Sequence, residues 1–268
     1  MKTRLTITLS DSTLAKVDQL IDKKKIRNRS HAIEHLLEKT LEPTVSTAVI
    51  LAGGPIHDTF RPLTLLDNRP LILYILDHLQ RFGVTNIVIA TNAQGSELES
   101  ILETHHSHAT LVYEPEPLGT AGALKHIEKY LEGDRFFVIP GDVLTDINLH
   151  DLTEFHTAHN TVATMAVKPR ISKATYDNVF IQGNVIVDFQ KSTPDQTVSI
   201  VNTGVYLFEK KILDLIPDGP SMLERDIFPT LSKTHRLMAF PFQGIWFDIT
   251  SDTNYQEALT KINNRSAK

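Results

Sequence analysis

The sequence predicts an α/β fold with a mostly parallel sheet and helices on both faces, preceded by a small separate domain. From Thr47 onward, short apolar runs alternate regularly with amphipathic segments of helix length. The character of the chain also changes near residue 44. Residues 1–44 hold nine Lys and Arg against six Asp and Glu, whereas the rest of the chain is acidic. A basic head on an acidic body predicts two domains, 1–44 and 45–268, with partners of different kinds.

The composition is that of a globular protein. Hydrophobic residues make up 41% and charged residues 22% of the 268 positions. No apolar run reaches the ~20 residues that a membrane-spanning helix needs, so we expect no membrane partner. Cysteine is absent, which excludes disulfides and thiolate metal sites and fits a cytoplasmic location.

The head is expected to consist of one strand and two helices. Its first residues alternate apolar and polar side chains, which predicts a strand with one apolar face. Ser10 is expected to cap a helix, and Ser30 to cap a second one after the basic turn at residues 23–29. So small a unit cannot bury a sufficient core alone, and an isolated strand leaves its backbone groups unpaired. Two copies that pair their strands would solve both problems.

Residues 2–41 resemble a ribbon-helix-helix DNA-binding domain. The resemblance implies a homodimer or a higher even oligomer whose two-stranded ribbon enters the major groove of duplex DNA. Outward side chains of the ribbon would read base edges, and the start of the second helix would hold a backbone phosphate. The candidate DNA-binding residues are Arg4, Thr6, Thr8, Arg29 and Ser30. A dimerisation module that never touches DNA is the alternative.

The body is expected to begin with a buried strand over residues 48–52. Further strands are predicted at residues 86–91, 110–113 and 135–140, and helices at 70–82, 94–105 and 121–131. Repeated βα units of this length predict a mainly parallel sheet, and ligands bind at the carboxyl edge of such a sheet.

Three segments of the body carry groups suited to a phosphate ligand. Gly53 and Gly54 follow the first strand, where glycines let backbone N–H groups approach a phosphate closely. The loop at 117–124 is punctuated by glycines, so that a flat base or a sugar can lie against its backbone. Asp142 follows the strand at 135–140, at the edge where ligands bind.

These segments together resemble the sugar-phosphate nucleotidyltransferases, the NDP-sugar pyrophosphorylase family. The resemblance extends from Thr47 to about Ala258 and implies a Rossmann-like nucleotidyltransferase fold. The matching motifs are Leu51 to Gly54, Arg61 to Thr64, Pro117 to Gly122, Gly141-Asp142, Asp188 to Lys191, Asn202 to Tyr206, Glu224 to Pro229 and Trp246 to Ser251.

The resemblance implies that a sugar 1-phosphate attacks the α-phosphorus of a nucleoside triphosphate and that pyrophosphate leaves. It implies catalytic cations at Arg61, Arg69 and Lys191, and Mg²⁺ ligands at Asp142 and Asp248. It implies sugar-binding residues at Gly141 and Asn202, and a mostly structural segment at 224–229. The implied nucleotide-binding residues are Leu51, Ala52, Gly53, Gly54, Glu116, Gly119, Thr120 and Gly122, with Glu114 as the other acid near the loop.

The chain departs from the family pattern mainly in one loop. The segment 55–60 is one residue longer than the corresponding loop of the family and lacks its Gly-Thr-Arg. Elsewhere, Arg69, Gln190 and Thr250 stand where the family has a lysine, a glutamate and a glycine. Two interpretations follow. The protein is a Mg²⁺-dependent nucleotidyltransferase with a DNA-binding head, or it is a transcriptional regulator whose impaired transferase-like domain senses a nucleotide or nucleotide-sugar.

Overall fold

The computed structural model describes residues 6–41, 45–53, 60–105, 109–170, 177–191 and 198–266. The side chains of 38–41, 177, 190–191 and 264–266 lie outside this description. The chain divides into two compact units, Met1–Thr44 and Val45–Lys268. No helix within the described ranges is both long and apolar enough to cross a membrane.

The small unit contains two helices in contact, α1 (Asp11–Gln19) and α2 (Arg29–Leu41). Ser10 caps α1 as predicted, since its hydroxyl accepts a hydrogen bond from the N–H of Thr13 at 3.3 Å. The predicted cap of α2 is wrong. Asn28 accepts the N–H of His31 at 2.9 Å, and Ser30 lies within the first turn. Asparagine caps helices at least as well as serine, and Asn28 comes first in the chain.

The strand predicted at the start of the head lies partly outside the described residues, and its described part, residues 6–10, belongs to no helix or strand in the single chain. A strand needs a hydrogen-bonded neighbour, which this small unit does not supply within its described part. The core of the unit is also small. Among its described residues only Val17 and Ala32 are buried apolar side chains, while Ile7, Leu36 and Leu37 are 46%, 38% and 48% exposed.

The large unit alternates strands and helices along its described residues. Its strands are β1 (Thr47–Ala52), β2 (Leu65–Leu66), β3 (Arg69–Pro70), β4 (Asn86–Thr91), β5 (Thr110–Tyr113), β6 (Arg135–Pro140), β7 (Val143–Thr145), β8 (Ala163–Arg170), β9 (Asp177–Gln182), β10 (Val185–Lys191), β11 (Ser199–Glu209), β12 (Leu237–Pro241) and β13 (Trp246–Asp248). Its helices are α3 (Leu71–Arg81), α4 (Ser96–Thr104), α5 (Gly119–His126), α6 (Leu149–His159), α7 (Phe228–Lys233) and α8 (Asp252–Ser266). Short 3₁₀ turns lie at Arg61–Leu63, Ala93–Gly95, Glu128–Tyr130 and Lys210–Leu215, and a π turn lies at Leu223–Ile227.

Most elements predicted for the first half of this unit agree with the structure. β4, β5 and β6 have the predicted bounds, and β1 begins one residue earlier than expected. The helices predicted at 70–82 and 94–105 correspond to α3 and α4. The third predicted helix differs. It starts at Gly119 and ends at His126, after which Glu128–Tyr130 forms a 3₁₀ turn.

Nine strands form one sheet in the order β5-β4-β1-β6-β11-β8-β12-β10-β9. The first four strands in this order are parallel. The others pair antiparallel, except for the parallel pair β8 and β12. The prediction of a mostly parallel sheet is therefore right only for the first half of the chain. In the second half a two-residue hairpin turn at Gly183 joins β9 to β10, and such a turn forces antiparallel pairing.

Helices cover both faces of the sheet, as predicted. Side chains alternate along β1, so Ile50 packs with apolar residues of α3, α4 and α6, while Val49 packs with those of α5 and α7. The carboxyl ends of β1, β4 and β6 lie side by side, and the polar residues that follow them meet at one edge.

Candidate functional site

Two neighbouring cavities open at this edge of the sheet, and both include Asp142. The first is formed by the ends of β1, β4 and β6 and by the turn that follows Phe60. Its lining residues are Leu51, Ala52, Gly53, Phe60, Arg61, Pro62, Asn92, Gln94, Gly141 and Asp142. The structure thus brings the predicted nucleotide-binding residues 51–53 together with Arg61 and Gly141.

The second cavity lies on the other side of Asp142, towards β11 and β13. Its lining residues are Pro140, Asp142, Val143, Asn202, Thr203, Gly204, Tyr206, Glu224, Trp246 and Asp248. The predicted sugar-binding residue Asn202 and the predicted metal ligands Asp142 and Asp248 therefore face one space, although they are far apart in the sequence.

Asp248 reaches Asp142 because β13 pairs with β7 directly after Asp142. Asp248 is opposite Val143, and the N–H of Ile249 donates to the carbonyl oxygen of Asp142 at 2.9 Å. The next turn fixes the side chain, since the N–H of Thr250 donates to Oδ1 of Asp248 at 2.9 Å. The replacement of the family's glycine by Thr250 is therefore compatible with a hydrogen-bonded turn at this position.

The two carboxylates repel each other. Burial, followed by the negative charge of Asp248, raises the pKa of Asp142 to about 6, while Arg61 opposes this rise. Arg61 gives only partial compensation, because its Nη1 lies 3.7 Å from Oδ2 of Asp142, beyond hydrogen-bonding distance. A further cation beside these carboxylates would favour their ionised forms.

This pair of carboxylates fits Mg²⁺. The described part of the chain contains no cluster of three or more His, Cys, Asp or Glu arranged to hold a metal ion. Mg²⁺ does not require one, because proteins usually hold it through one or two carboxylates together with waters and substrate phosphates. Asp142 and Asp248, which line the second cavity together, supply two such carboxylates.

A carboxylate also lies beside the first cavity. A Cβ on Gly53 would overlap with the carboxylate of Glu114, so only glycine permits this close approach. The other oxygen, Oε2 of Glu114, accepts the N–H of Leu118 at 3.0 Å. Burial raises the pKa of the Glu114 carboxyl. Glu116, the predicted nucleotide-binding acid, is exposed.

The glycines of the loop at 117–124 pack tightly against residues 219–222. A Cβ on Gly119, whose φ is +73°, would lie 2.5 Å from the carbonyl oxygen of Ser221. A Cβ on Gly122 would lie 2.6 Å from the carbonyl oxygen of Gly219. Backbone packing thus accounts for both glycines, independently of any contact with a base.

Thr120 connects this loop to the second cavity. Its Oγ1 donates to Oε2 of Glu224 at 2.8 Å and accepts the N–H of Leu223 at 2.9 Å. The hydroxyl of Tyr206 lies 3.4 Å from Oε1 of Glu224, and Nδ2 of Asn202 donates to that hydroxyl at 2.7 Å. A continuous polar chain therefore runs from the glycine loop to the predicted sugar-binding residue.

Asn202 also shapes the strand on which it lies. Its Oδ1 accepts the N–H of Gly204 at 2.9 Å, and Gly204 has a φ of +76°. The pairing of β11 with β8 is irregular between Asn202 and Tyr206. Such bulges often lie beside binding sites, because they redirect side chains out of the regular ladder.

Some of the described site residues line neither cavity, namely Arg69, Glu116, Gly119, Thr120 and Gly122. Arg69 pairs with Asp77 at 2.8 Å, lies over the ring of Tyr74, and lines neither cavity. Lys191 ends β10, but its side chain lies outside the described set. Gly54 and the altered loop as far as residue 59 also lie outside the described residues.

The predicted DNA-binding residues belong to the small unit. Thr6 and Thr8 are exposed, and Arg4 lies outside the described residues. Arg29 donates from Nε and Nη2 to the two carboxylate oxygens of Asp18 at 2.7 and 2.8 Å. Its guanidinium is therefore already held within the unit. Ser30 is exposed in the first turn of α2.

Sequence reasoning missed two residues that line the first cavity, and it gave two acids other weights than their positions suggest. Asn92 and Gln94 follow β4, and their position at the carboxyl end of a predicted parallel strand was the available signal. Glu224 was assigned to a structural segment, and Glu116 was preferred to Glu114. Nothing in the local sequence around Glu224 indicates its contact with Thr120.

Residues 47–265 match the family described as nucleotidyl transferase. The chain belongs to this family. The family resemblance and the α/β fold predicted for the body are therefore confirmed. The match begins at residue 47, so it does not include the head.

Curated relatives of this nucleotidyl transferase include mannose-1-phosphate guanyltransferases from yeasts. The Pichia angusta protein is 33% identical over 240 residues, which cover 80% of this chain and 65% of that protein. The Saccharomyces cerevisiae protein is 30% identical over 238 residues, with coverages of 82% and 65%. The chain spans less than two thirds of the length of these relatives.

Solved structures share the fold of this nucleotidyl transferase. HddC from Yersinia pseudotuberculosis is 25% identical with a TM-score of 0.71, covering 81% of this chain and 100% of HddC. The inositol-1-phosphate CTP transferase from T. maritima is 22% identical with a TM-score of 0.68, covering 82% and 97%. The second likeness is evidence for the fold alone.

Proposed function

We propose that this nucleotidyl transferase joins the guanylyl group of GTP to mannose 1-phosphate, or to a closely related sugar 1-phosphate, and releases pyrophosphate. The observation that carries the proposal is the meeting of two cavities at Asp142. A reaction between two bound phosphates needs such adjacency, since the attacking oxygen must approach the α-phosphorus in line. The names of the yeast relatives support the choice of guanine and mannose.

The first cavity would hold the nucleotide. Gly53 offers a backbone without a side chain to the phosphates, and Arg61 supplies positive charge next to Asp142. We assign the base edge to Glu114 rather than to Glu116, because its carboxylate lies against Gly53. Guanine presents its N2 amino group and the adjacent ring N–H as donors, and a carboxylate accepts hydrogen bonds from both. Adenine lacks this pair of donors.

The second cavity would hold the sugar 1-phosphate. Asn202 lines it and has amide capacity beyond its bonds to Gly204 and Tyr206. The family resemblance assigns a sugar contact to Gly141 and a sugar-phosphate contact to Lys191, and we keep both as proposals. Arg69, being paired with Asp77, is assigned no catalytic contact.

Asp142 and Asp248 would hold Mg²⁺ between the two ligands. The bound ion would supply positive charge to the phosphates that meet there. In its absence the carboxylates themselves would repel those phosphates, with Arg61 as the partial compensation. The residues therefore prepare a site whose charge balance depends on a cation.

A substrate matrix tests the proposal. The full chain is incubated with Mg²⁺, each of GTP, ATP, CTP, UTP and dTTP, and mannose, glucose or heptose 1-phosphate. Pyrophosphate and the nucleotide sugar are both measured. We expect most product from GTP with mannose 1-phosphate, and we expect Glu114→Gln to narrow the preference for GTP over ATP by about 10-fold, since one such base contact is worth ~1–3 kcal/mol. The proposal would be contradicted if, for every pair of nucleotide and sugar 1-phosphate, the wild type yields no more product than Asp142→Asn.

The head supports a second function. We propose that two chains pair through ribbon-helix-helix units at residues 1–44 and bind duplex DNA, with Arg4, Thr6 and Thr8 towards the bases. The exposure of Ile7 and Leu37 supports pairing with a second copy, because such side chains are otherwise buried on one face. In this function the transferase-like body would sense a nucleotide or nucleotide-sugar and regulate transcription.

Sedimentation and gel shifts test the second function. We expect a dimer at micromolar concentration, a monomer for Leu37→Glu, and DNA binding that weakens steeply with salt. Thr8→Ala serves as the matched control for pairing, because it should weaken specific DNA binding and leave the dimer intact. A monomeric wild-type chain would exclude the ribbon-helix-helix arrangement, which requires two copies.

A further inference from the structure

The second cavity contains a carboxylate to which no role above is assigned. We propose that Glu224 determines which sugar 1-phosphate is accepted, by taking a hydrogen bond from a ring hydroxyl of the sugar. This inference rests on the proposed function, because it assigns a substrate contact within the same site. It makes Glu224 a specificity-determining residue, in a segment whose sequence suggested only a structural part.

The hydrogen bonds of Glu224 leave one oxygen available to the cavity. Oε2 accepts the hydroxyl of Thr120 at 2.8 Å. Oε1 has the hydroxyl of Tyr206 at 3.4 Å, which is long for a hydrogen bond between oxygen atoms. An ionised carboxylate offers about four lone-pair positions in all. Oε1 can therefore accept a ligand hydroxyl while Oε2 remains anchored.

The backbone around Glu224 is held in place. Glu224 lies in the π turn Leu223–Ile227, which leads directly into α7. The N–H of Leu223 donates to Thr120, so Thr120 anchors both the backbone and the side chain of this turn. Phe228, fully buried, packs edge-on against the ring of Tyr206 at 5.2 Å between centroids. A contact group fixed in this way discriminates well, because little order is lost on binding.

The chemistry of the cavity assigns Glu224 to a hydroxyl rather than to a phosphate. A carboxylate repels a phosphate, and the groups suited to phosphate lie around Asp142, where Arg61 approaches and a cation fits. Glu224 and Asn202 are linked through Tyr206 and both line the same space. An acceptor and an amide side by side match a ring with several hydroxyl groups, which both donate and accept.

The expected consequence is a penalty at one position of the sugar. An analogue that lacks the hydroxyl facing Glu224 leaves the charged acceptor without its partner. Hydrogen bonds to charged groups are worth about 1.5–3 kcal/mol, which corresponds to roughly 10–100-fold in affinity. Deoxygenation at the other positions, away from Glu224, should cost less.

The experiment compares mannose 1-phosphate with its 2-, 3-, 4- and 6-deoxy analogues. Their binding to the full chain is measured by calorimetry with Mg²⁺ and a non-hydrolysable GTP analogue, and transfer is measured in parallel with GTP. We expect one deoxy analogue to bind roughly 10–100-fold more weakly to the wild type. In Glu224→Ala that penalty should disappear, and in Glu224→Gln it should shrink. Asp226→Ala, in the same turn, should retain it.

The two readouts separate this inference from the proposed function. If transfer occurs but the deoxy analogues lose equal affinity in the wild type and in Glu224→Ala, the role of Glu224 is overturned and the proposed reaction stands. The same conclusion follows if transfer occurs and no deoxy analogue binds the wild type more weakly than the others. If one deoxy analogue loses affinity only when Glu224 is present and no transfer occurs, the inference is supported and the proposed reaction is contradicted. If no sugar 1-phosphate binds, both are overturned. Melting curves of the Gln variant, which keeps the shape of the side chain, identify a loss caused by misfolding.

Discussion

Neutralising Asp142 should stabilise the protein at neutral pH. In the folded chain the pKa of this carboxyl is about 6, because the group is partly buried and is repelled by the charge of Asp248. In an unfolded chain the pKa of Asp is ~3.9. The folded state therefore binds the proton more tightly, and stability falls as the pH rises from about 4 to 6 and remains lower above that. Asp142→Asn removes this loss.

The size of the effect follows from the pKa and from the exposure of the group. The difference of about 2 between the pKa values in the folded and unfolded chains corresponds to roughly 2.8 kcal/mol of unfolding free energy. The side chain of Asp142 is 34% exposed, so solvent screening reduces the value, and we expect about 1 kcal/mol. Asp142→Asn should exceed the wild type in unfolding free energy by this amount at pH 7.5, and should match it near pH 4.

Urea unfolding measures the difference directly. Trp246 is the single tryptophan of the chain and is 3% exposed, so its fluorescence reports on unfolding of the large unit. Midpoints are recorded at pH 4, 6 and 7.5 for the wild type, Asp142→Asn and the control Asp134→Asn, whose side chain is exposed. A gain for Asp142→Asn that does not change with pH, or that Asp134→Asn shares, would refute the explanation by burial and repulsion.

Two further predictions concern packing and charge. Gly119→Ala should lower the unfolding free energy, measured by urea titration, by about 2 kcal/mol more than Gly133→Ala does. Both glycines have positive φ, but of the two only Gly119 would bring a Cβ against a backbone carbonyl, that of Ser221. Equal losses for the two variants would contradict the tight packing at Gly119. In the pyrophosphate-release assay, Arg61→Met should lower kcat/KM for GTP at least about 10-fold, and Arg69→Met should lower it by less than about 3-fold. The reason is that Arg61 approaches Asp142, whereas Arg69 is paired with Asp77. A larger loss for Arg69→Met than for Arg61→Met would show that Arg69 acts in the site.

The strands of the first half of the body could be predicted from the sequence because their signals are local. β4, β5 and β6 are short apolar runs bounded by polar residues and glycine, and their bounds agree with the structure. The direction of pairing in the second half could not be predicted in the same way. It depends on whether a hairpin or a helix joins consecutive strands, and periodicity alone does not decide between these connections.

The candidate site was predictable only where a motif carries its own chemistry. Asp142 stands at the end of a recognisable strand, whereas Asp248 was found through the family resemblance, and only the pairing of β13 with β7 explains their meeting. Glu224 escaped detection because its partner Thr120 is about a hundred residues away in the chain. Glu114 and Glu116 are two residues apart, and only the approach to Gly53 distinguishes them.

The account depends most on the claim that Asp142 and Asp248 form one Mg²⁺-dependent site where nucleotide and sugar phosphate meet. Calorimetric titration of GTP with and without Mg²⁺ tests this claim most directly. We expect Mg²⁺ to tighten GTP binding to the wild type, and either Asp142→Asn or Asp248→Asn to abolish that gain while metal-free binding changes less than about 3-fold. If either variant keeps the full Mg²⁺ dependence, the two carboxylates do not act as one site.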